Sequence, residues 1–322
     1  MRGTVMERKP FVVLTGPTAV GKTALSIELA KAISGAIISA DSMQVYKHMD
    51  IGSAKIMPEE MEGIRHYLVD EFEPDEEFHV ARFVERAKEC LNEIYREGKI
   101  PIIVGGTGFY IQALLYDVNF SEQNTNTEYR KELEYLAEEK GAEYLHKMLK
   151  EVDAASAEAI HANNRKRVIR ALEFYHLTGT KISEHNETEK QKTAPYNFAY
   201  FVLTDNRKHL YERIEKRVDM MIKNGLVEEV QKLKDMGYHR EMVSMQGLGY
   251  KEILDYLDGK MTLEEAVTLI KKETRHFAKR QLTWFRRERD VIWFDKEKYE
   301  YNEEHILRDM IKILEEKGIY NE

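Results

Sequence analysis

Cysteine is almost absent: Cys90 is the only one in 322 residues. That excludes a disulfide framework and any multi-cysteine zinc site, and it fits a reducing cytoplasm. In the run from Val80 to Leu91 the thiol reads as a small residue on a helix face, because nothing near it in the sequence would lower its pKa. No apolar run approaches the roughly 18 residues that a membrane span needs, so no membrane partner is expected. The start, MRGTVMERKP, has no apolar segment of the kind a secretory signal carries. The 11 histidines show no H-E-x-x-H or other paired spacing, which argues against a zinc centre. Internal repeats and long low-complexity tracts are missing too.

The formal net charge of −8 would argue against a nucleic-acid partner if it were spread evenly, but it is segregated. Residues 57–77 carry nine acidic side chains against one arginine, whereas residues 271–289, KKETRHFAKRQLTWFRRER, carry eight Lys/Arg against two Glu. A second basic knot, RKRVIR, covers residues 165–170. Such a chain can present a basic face while remaining acidic overall, although charge runs taken alone usually mark solvated helix faces.

The densest chemical signal lies at residues 16–23, GPTAVGKT, between the apolar run Phe11 to Leu14 and a helix-like stretch from Thr23 to Ser34. The pattern G-x-x-x-x-G-K-[ST] arises by chance in about one chain of this length in a hundred. A strand before it and a helix after it lower that figure further, so Gly16, Pro17, Thr18, Ala19, Val20, Gly21, Lys22 and Thr23 are read as a diphosphate cradle. Backbone N–H groups point inward, the lysine supplies charge, and the Thr23 hydroxyl is the candidate Mg²⁺ ligand.

Around this motif the chain alternates. Residues 36–40 form a strand ending at Asp41, a helix stops at Gly98, and residues 100–104 form a strand feeding the turn Gly105 to Gly108 and a helix to Leu115. This predicts an α/β fold, a P-loop NTPase-like parallel sheet flanked by helices, with ligands beyond the carboxyl ends of the strands. Charged helices over 128–140, 143–152 and 154–177, followed by a polar tract at 185–193, read as a helical insertion. The expected organisation is core over 1–118, insertion over 119–199, and core again over 200–322 with C-terminal helices. A strand at 198–203 returns to the sheet, and 291–294 interrupts the later helices.

Several polar residues have two readings at this level. Asp41 is either a cap or Mg²⁺ carboxylate, or a general base for a substrate amine or hydroxyl. Thr107, between glycines at a helix start, is an anion-binding turn or a plain strand-to-helix turn. Arg213 and Arg217, one helical turn apart, are a phosphate lid or an exposed pair. Trp284 and Phe285 are base-stacking platforms or core anchors, the latter favoured for at least one. The central strand ends in Gly-Gly-Thr-Gly rather than the Mg²⁺-holding Asp of a motor NTPase, which weakens ATP hydrolysis; the stretch Phe198 to Asp205 is the one substitute.

Six ordered blocks resemble bacterial tRNA dimethylallyltransferases, the tRNA isopentenyltransferase or IPP transferase family. They are GPTAVGKT; SADSMQVYK at 39–47 with MDIGSAK at 49–55; VGGTGFY at 104–110; RKRVIRALE at 165–173; GLGYK at 247–251; and the segment from Lys279 to Arg286. The resemblance spans nearly the whole chain. It implies that the cradled diphosphate is that of dimethylallyl diphosphate, with Mg²⁺, and that the prenyl group goes to N6 of adenosine 37 beside the tRNA anticodon. It assigns Asp41 as the base, and Lys22, Thr23, Thr107 and Arg217 to the departing diphosphate. For tRNA it implies Asp41, Ser42, Met43, Gln44 and Thr107; Lys166, Arg167 and Arg170; Gln246, Gly247, Gly249, Tyr250 and Lys251; and Lys279, Arg280, Gln281 and Arg286. Arg130 would clamp the anticodon stem, and the adenosine would leave its stack to enter a channel. The single cysteine leaves no room for the zinc finger of some eukaryotic relatives. A monomer in the cytoplasm is expected. A prenyltransferase acting on free adenine nucleotides, a P-loop kinase of small molecules or nucleotides, and a non-catalytic RNA-binding module are the alternatives.

Overall fold

Val12, Val13 and Leu14 are buried to the last atom because the strand that holds them lies in the middle of a sheet covered on both faces. The computed structural model describes residues 8–118 and 128–321. In the core the elements run β1 (Pro10–Thr15), α1 (Lys22–Ala32), β2 (Gly35–Ser39), β3 (His66–Tyr67), α2 (Val80–Arg96), β4 (Ile100–Gly105) and α3 (Gly108–Leu115). Then come α4 (Glu128–Glu139), α5 (Ala142–Val152), α6 (Ala154–Ala159), α7 (Arg165–Thr178) and α8 (Ile182–Gln191). The chain returns with β5 (Asn197–Thr204), α9 (Arg207–Lys223), α10 (Leu226–Asp235), α11 (Tyr250–Leu257), α12 (Leu263–Phe285), β6 (Val291–Asp295) and α13 (Glu303–Glu316).

All six strands are parallel, in the order β3-β2-β4-β1-β5-β6. This is the α/β architecture expected, with the phosphate-loop strand central. Register sets the site: Thr15 lies opposite both Gly105 and Val202, and Ser39 opposite Val104. The loops after β1, β2 and β4 therefore leave the sheet at one level, where ligands of such sheets bind. Leu25, Leu29, Phe201, Leu203, Ile214 and Ile306 pack with the strands into the main core.

Residues 1–115 and 194–322 form one compact unit and residues 116–193 a second. Both borders fall a few residues before the sequence-expected 119 and 199, and β5 starts at Asn197. The second unit buries Leu133, Leu145, Leu149, Val168 and Leu172 in its own core. The expected single helix over 154–177 is broken. Asp153 caps α6 by accepting from Ser156 N, and Asn164 occupies the cap position of α7. Asp and Asn compete with the helical ladder and so favour such boundaries. The polar tract expected at 185–193 folds largely into α8, whose low apolar content hid it, and β3 was too short to leave a period. Cys90 is buried, and desolvation pushes its thiol up to about 12, in keeping with an inert packing role. Among the described residues no helix is long and apolar enough to cross a membrane.

Candidate active site

The loop after β1 turns its carbonyls outward and its amides inward. Lys22 Nζ donates to Gly16 O and Pro17 O, both at 2.9 Å, Arg213 Nε to Ala19 O at 2.7 Å, and Lys296 Nζ to Val20 O at 3.3 Å. Three cations thus hold four carbonyls. Among the described residues the N–H groups of Ala19, Gly21, Lys22 and Thr23 make no hydrogen bond, the last two because a helix leaves its first amides unpaired. Gly16 and Gly21 have φ of +148° and +99°, and a Cβ on Gly16 would sit 2.5 Å from Leu203 O, so glycine is required there. Ala19 takes the left-handed region as well, at φ 64°. The result is a concave set of donors at a helix N-terminus, suited to a polyphosphate.

These amides face a cavity of about 770 Å³ lined by Thr18, Lys22, Thr23, Asp41, Gln44, Gly106, Arg213, Arg217 and Gln281, among others. Four cations border it: Lys22, Arg213, Lys216 and Arg217. Desolvation, helped by the Arg217 charge and opposed by Asp41, pushes Lys22 down to about 7. Arg217 is lowered by burial, with Asp41 opposing and Arg213 adding to the shift. Four cations gathered around one cavity beside inward-facing amides favour an anionic ligand.

Asp41 does two things at once. Its Oδ1 accepts from the amides of Met43 at 2.8 Å and Gln44 at 3.3 Å, which fixes the turn after β2. Its Oδ2 has no hydrogen-bond partner among the described residues, and the side chain lines the cavity. The cap reading and the reactive-carboxylate reading are therefore compatible. Thr107 closes the turn after β4: its N–H donates to Ala40 O at 3.2 Å, and its carbonyl accepts from Tyr110 and Ile111. Gly105 and Gly106 line the cavity, with Thr107 next in the chain. Arg217 Nη1 donates to Thr18 Oγ1 at 3.1 Å, so Arg213 and Arg217 of α9 both bond to the phosphate loop.

The other sequence-expected residues divide by environment. Lys279, Arg280 and Arg286 are exposed on the outer face of α12 and its end, as are Lys166, Arg167 and Arg170 on α7. Ser42 and Met43 are half-buried beside Asp41, and Gln44 Nε2 donates to Ala54 O at 3.0 Å. Arg130 lies within the second unit, with Nη1 3.2 Å from Glu173 Oε2. Gln246 is exposed and donates to Arg240 O, and Lys251 is half-buried near Glu252. Gly247 lies against Met43, whose Cε would meet a Cβ there at 2.4 Å, and Gly249 has φ +93°. Tyr250 and Gln281 turn inward. Tyr250 is fully buried, donates to Glu229 Oε1 at 2.8 Å, and is held protonated by burial and by that carboxylate. Gln281 is 5% exposed and bonds only to backbone of the phosphate loop and the β4–α3 turn. Phe285 is a core residue, and half-buried Trp284 covers Gly108, whose Cβ would meet its ring at 2.2 Å.

His209, Lys216, Met220 and Phe277 also line the cavity and were not singled out in sequence. The spacing 209, 213, 216, 217 and 220 is one helix face, readable only once that face is known to meet a ligand.

Known proteins match this chain over nearly its whole length. The tRNA dimethylallyltransferase of Lachnoclostridium phytofermentans is 63% identical over 311 residues, 97% of this chain and 99% of that protein. Its counterpart in Acetivibrio thermocellus is 52% identical over 309 residues, 96% and 98% of the two chains. Among solved structures, the tRNA isopentenylpyrophosphate transferase of Bacillus halodurans is 44% identical with TM-score 0.72, covering 97% of this chain and 98% of that one. A eukaryotic dimethylallyltransferase acting on tRNA is 31% identical with TM-score 0.76, over 89% and 74%. The family model described as IPP transferase matches residues 44–288, from the turn that follows Asp41 to the end of the basic segment on α12. With a matching family model, a matching fold and close relatives over nearly its whole length, the chain belongs to the IPP transferase family.

Proposed function

We propose that this protein transfers the dimethylallyl group of dimethylallyl diphosphate to the N6 amine of adenosine 37 in tRNA, releasing diphosphate. The observation that carries this reading is a single cavity that holds both an inward-facing amide cradle with four cations and a carboxylate, Asp41, with one oxygen unengaged. A kinase needs the first feature. A group transfer onto a weak amine uses both.

The bond between the allylic carbon and the bridging oxygen breaks as the N6 lone pair forms the new C–N bond, and the surplus N6 proton passes to Asp41. The exocyclic amine is a poor nucleophile because its lone pair is delocalised, so a positioned base lowers the barrier. Negative charge grows on the leaving diphosphate, where the amides of Ala19, Gly21, Lys22 and Thr23 and the side chains of Lys22, Arg213 and Arg217 can meet it. One such donor is typically worth a few kcal/mol. Lys22 must first leave the carbonyls of Gly16 and Pro17. Thr107 does not line the cavity and its N–H is taken by Ala40 O, so its proposed part is through its hydroxyl at the start of α3.

Thr23 is exposed at the first turn of α1, lines the cavity, and makes no side-chain hydrogen bond among the described residues. It fits Mg²⁺, which takes few protein ligands and fills its shell with water and phosphate oxygens; when bound, the ion neutralises part of the diphosphate charge. The tRNA anticodon stem-loop is proposed to lie on the exposed Lys279, Arg280 and Arg286, with Ser42 to Gln44 beside the flipped base and Lys166, Arg167, Arg170 and Arg130 on the stem. The buried hydroxyl of Tyr250, which donates to Glu229 and accepts from Ser53 N, and the amide of Gln281, which donates to Gly106 O, support the protein's own loops instead.

The direct test is one incubation with Mg²⁺, labelled dimethylallyl diphosphate and either an anticodon stem-loop or AMP, followed by nucleoside analysis. Label on the stem-loop adenosine alone is the expected result. Label on AMP would move the reading to a free-nucleotide prenyltransferase, and no label on either would point to phosphoryl transfer.

A further inference from the structure

We propose that Gln281 is a positioning residue that holds the phosphate loop and the Gly105–Gly108 turn in one fixed register, so that the diphosphate and the base Asp41 stay aligned. The inference rests on the transfer reaction proposed above. On α12 the buried positions Ala278, Gln281 and Phe285 form one face, while Lys279, Arg280, Thr283 and Arg286 look outward. An amide on the inner face of a helix must find partners, and Gln281 finds two that no other side chain joins. Oε1 accepts from Thr18 N at 2.9 Å, and Nε2 donates to Gly106 O at 3.0 Å. Both arms of the amide are thereby used in a buried position, where an unpaired polar group is costly.

Each partner is the first link to a reacting group. Thr18 is the residue whose Oγ1 accepts from Arg217, so fixing its backbone fixes the anchor of that arginine. The Thr18 N–H is also consumed, which leaves the cradle to the amides from Ala19 onward and defines where an anion sits. On the other arm, Gly106 O belongs to the peptide whose nitrogen is that of Thr107, and this N–H donates to Ala40 O immediately before Asp41. Beyond the strand ladders and the Thr15 hydroxyl, which donates to Gly105 O at 2.6 Å, Gln281 thus adds a direct tie between leaving-group wall and base. Small displacements of reacting groups are expensive in rate, and this is what such a brace prevents. Glycine at 106 fits the arrangement: a Cβ there would sit 2.2 Å from Gln281 Nε2.

The test compares Gln281→Met, which keeps volume and removes both hydrogen bonds, with Gly106→Ala, which evicts the amide from the other side and touches no basic residue. The readouts are the affinity for inorganic diphosphate, the affinity and salt slope for an anticodon stem-loop, and kcat and donor KM. Both variants are expected to weaken diphosphate binding about tenfold or more and to lower kcat by a similar factor, with stem-loop affinity within about twofold of the wild type and an unchanged salt slope. Weaker stem-loop binding with unchanged diphosphate affinity would overturn the proposal and make Gln281 an RNA contact. Unchanged values throughout would overturn it as well. If Gln281→Met does not fold, Gly106→Ala decides. Should the wild type transfer no label to RNA, the reaction is misread, but the diphosphate affinities still test the brace.

Discussion

Lys22 lines the cavity, where desolvation first and the Arg217 charge second bring its pKa from 10.5 down to about 7, against the opposing pull of Asp41. Between those values the unfolded chain binds a proton that the folded protein does not, so folding stability rises with pH across that window and the full penalty is present below it. Lys22→Met should therefore raise the melting temperature of the ligand-free protein at pH 7 by a few degrees, with the gain shrinking towards pH 10. A lower melting temperature at pH 7 would mean that its bonds to Gly16 O and Pro17 O outweigh the buried charge. An anion reverses the balance by favouring the charged lysine. Diphosphate binding at pH 8 is thus expected to take up protons, measurable by calorimetry in buffers of different ionisation enthalpy; no buffer dependence would remove Lys22 from the anion contact. For Asp41→Asn the expectation is retained stem-loop affinity with turnover reduced about 100-fold or more, the usual scale of general-base loss. Equal turnover would leave Asp41 as a cap alone.

At the scale of elements, the loop between β2 and β3 depends on a carboxylate far away in sequence. Glu229 on α10 accepts from the amides of Asp50, Ile51 and Gly52 at 2.9, 2.8 and 3.1 Å and from the Tyr250 hydroxyl, which also accepts from Ser53 N. Glu229→Ala leaves these donors unmatched, at about 1–3 kcal/mol for each group that water cannot reach. It is expected to lower the melting temperature by about 5 °C or more and to loosen Gln44, which donates to Ala54 O on the same loop; a change under 2 °C would show that water replaces the carboxylate. This contact also marks where sequence reading ran out. GPTAVGKT and the apolar strands announced the sheet because they are local patterns, and Asp41 and Thr107 followed from their places at strand ends. Glu229, Lys296 and Gln281 act across 177, 276 and 263 residues of chain, a pairing that no local period encodes. The basic stretch at 271–289 shows the same limit from within. Its composition pointed to an RNA face, but only the helix phase separates outward Lys279 and Arg280 from inward Gln281.

The whole molecule is acidic, at −8, yet its proposed partner is a polyanion. Counterion release from RNA depends on local cations, whereas net charge sets the longer-range field. Replacing exposed Lys279 and Arg280 together with Ala should weaken stem-loop binding and flatten the plot of log affinity against log salt by about 1–2 units. An unchanged slope would show that this face of α12 does not meet phosphate. Like-charge repulsion predicts that the acidic stretch at 57–77 disfavours RNA that approaches it. Glu59, Asp75 and Glu77 are exposed there, and their side chains make no hydrogen bond or ion pair among the described residues, so they can be reversed without breaking local structure. With Glu59→Lys, Asp75→Lys and Glu77→Lys combined, affinity for an unrelated RNA should rise more than affinity for the anticodon stem-loop. Discrimination between the two would then narrow at low salt and recover as salt is added, because exposed charges more than a Debye length apart are screened, about 8 Å at physiological ionic strength. Equal gains for both RNAs would mean that the acidic segment tunes overall attraction without shaping where RNA lands.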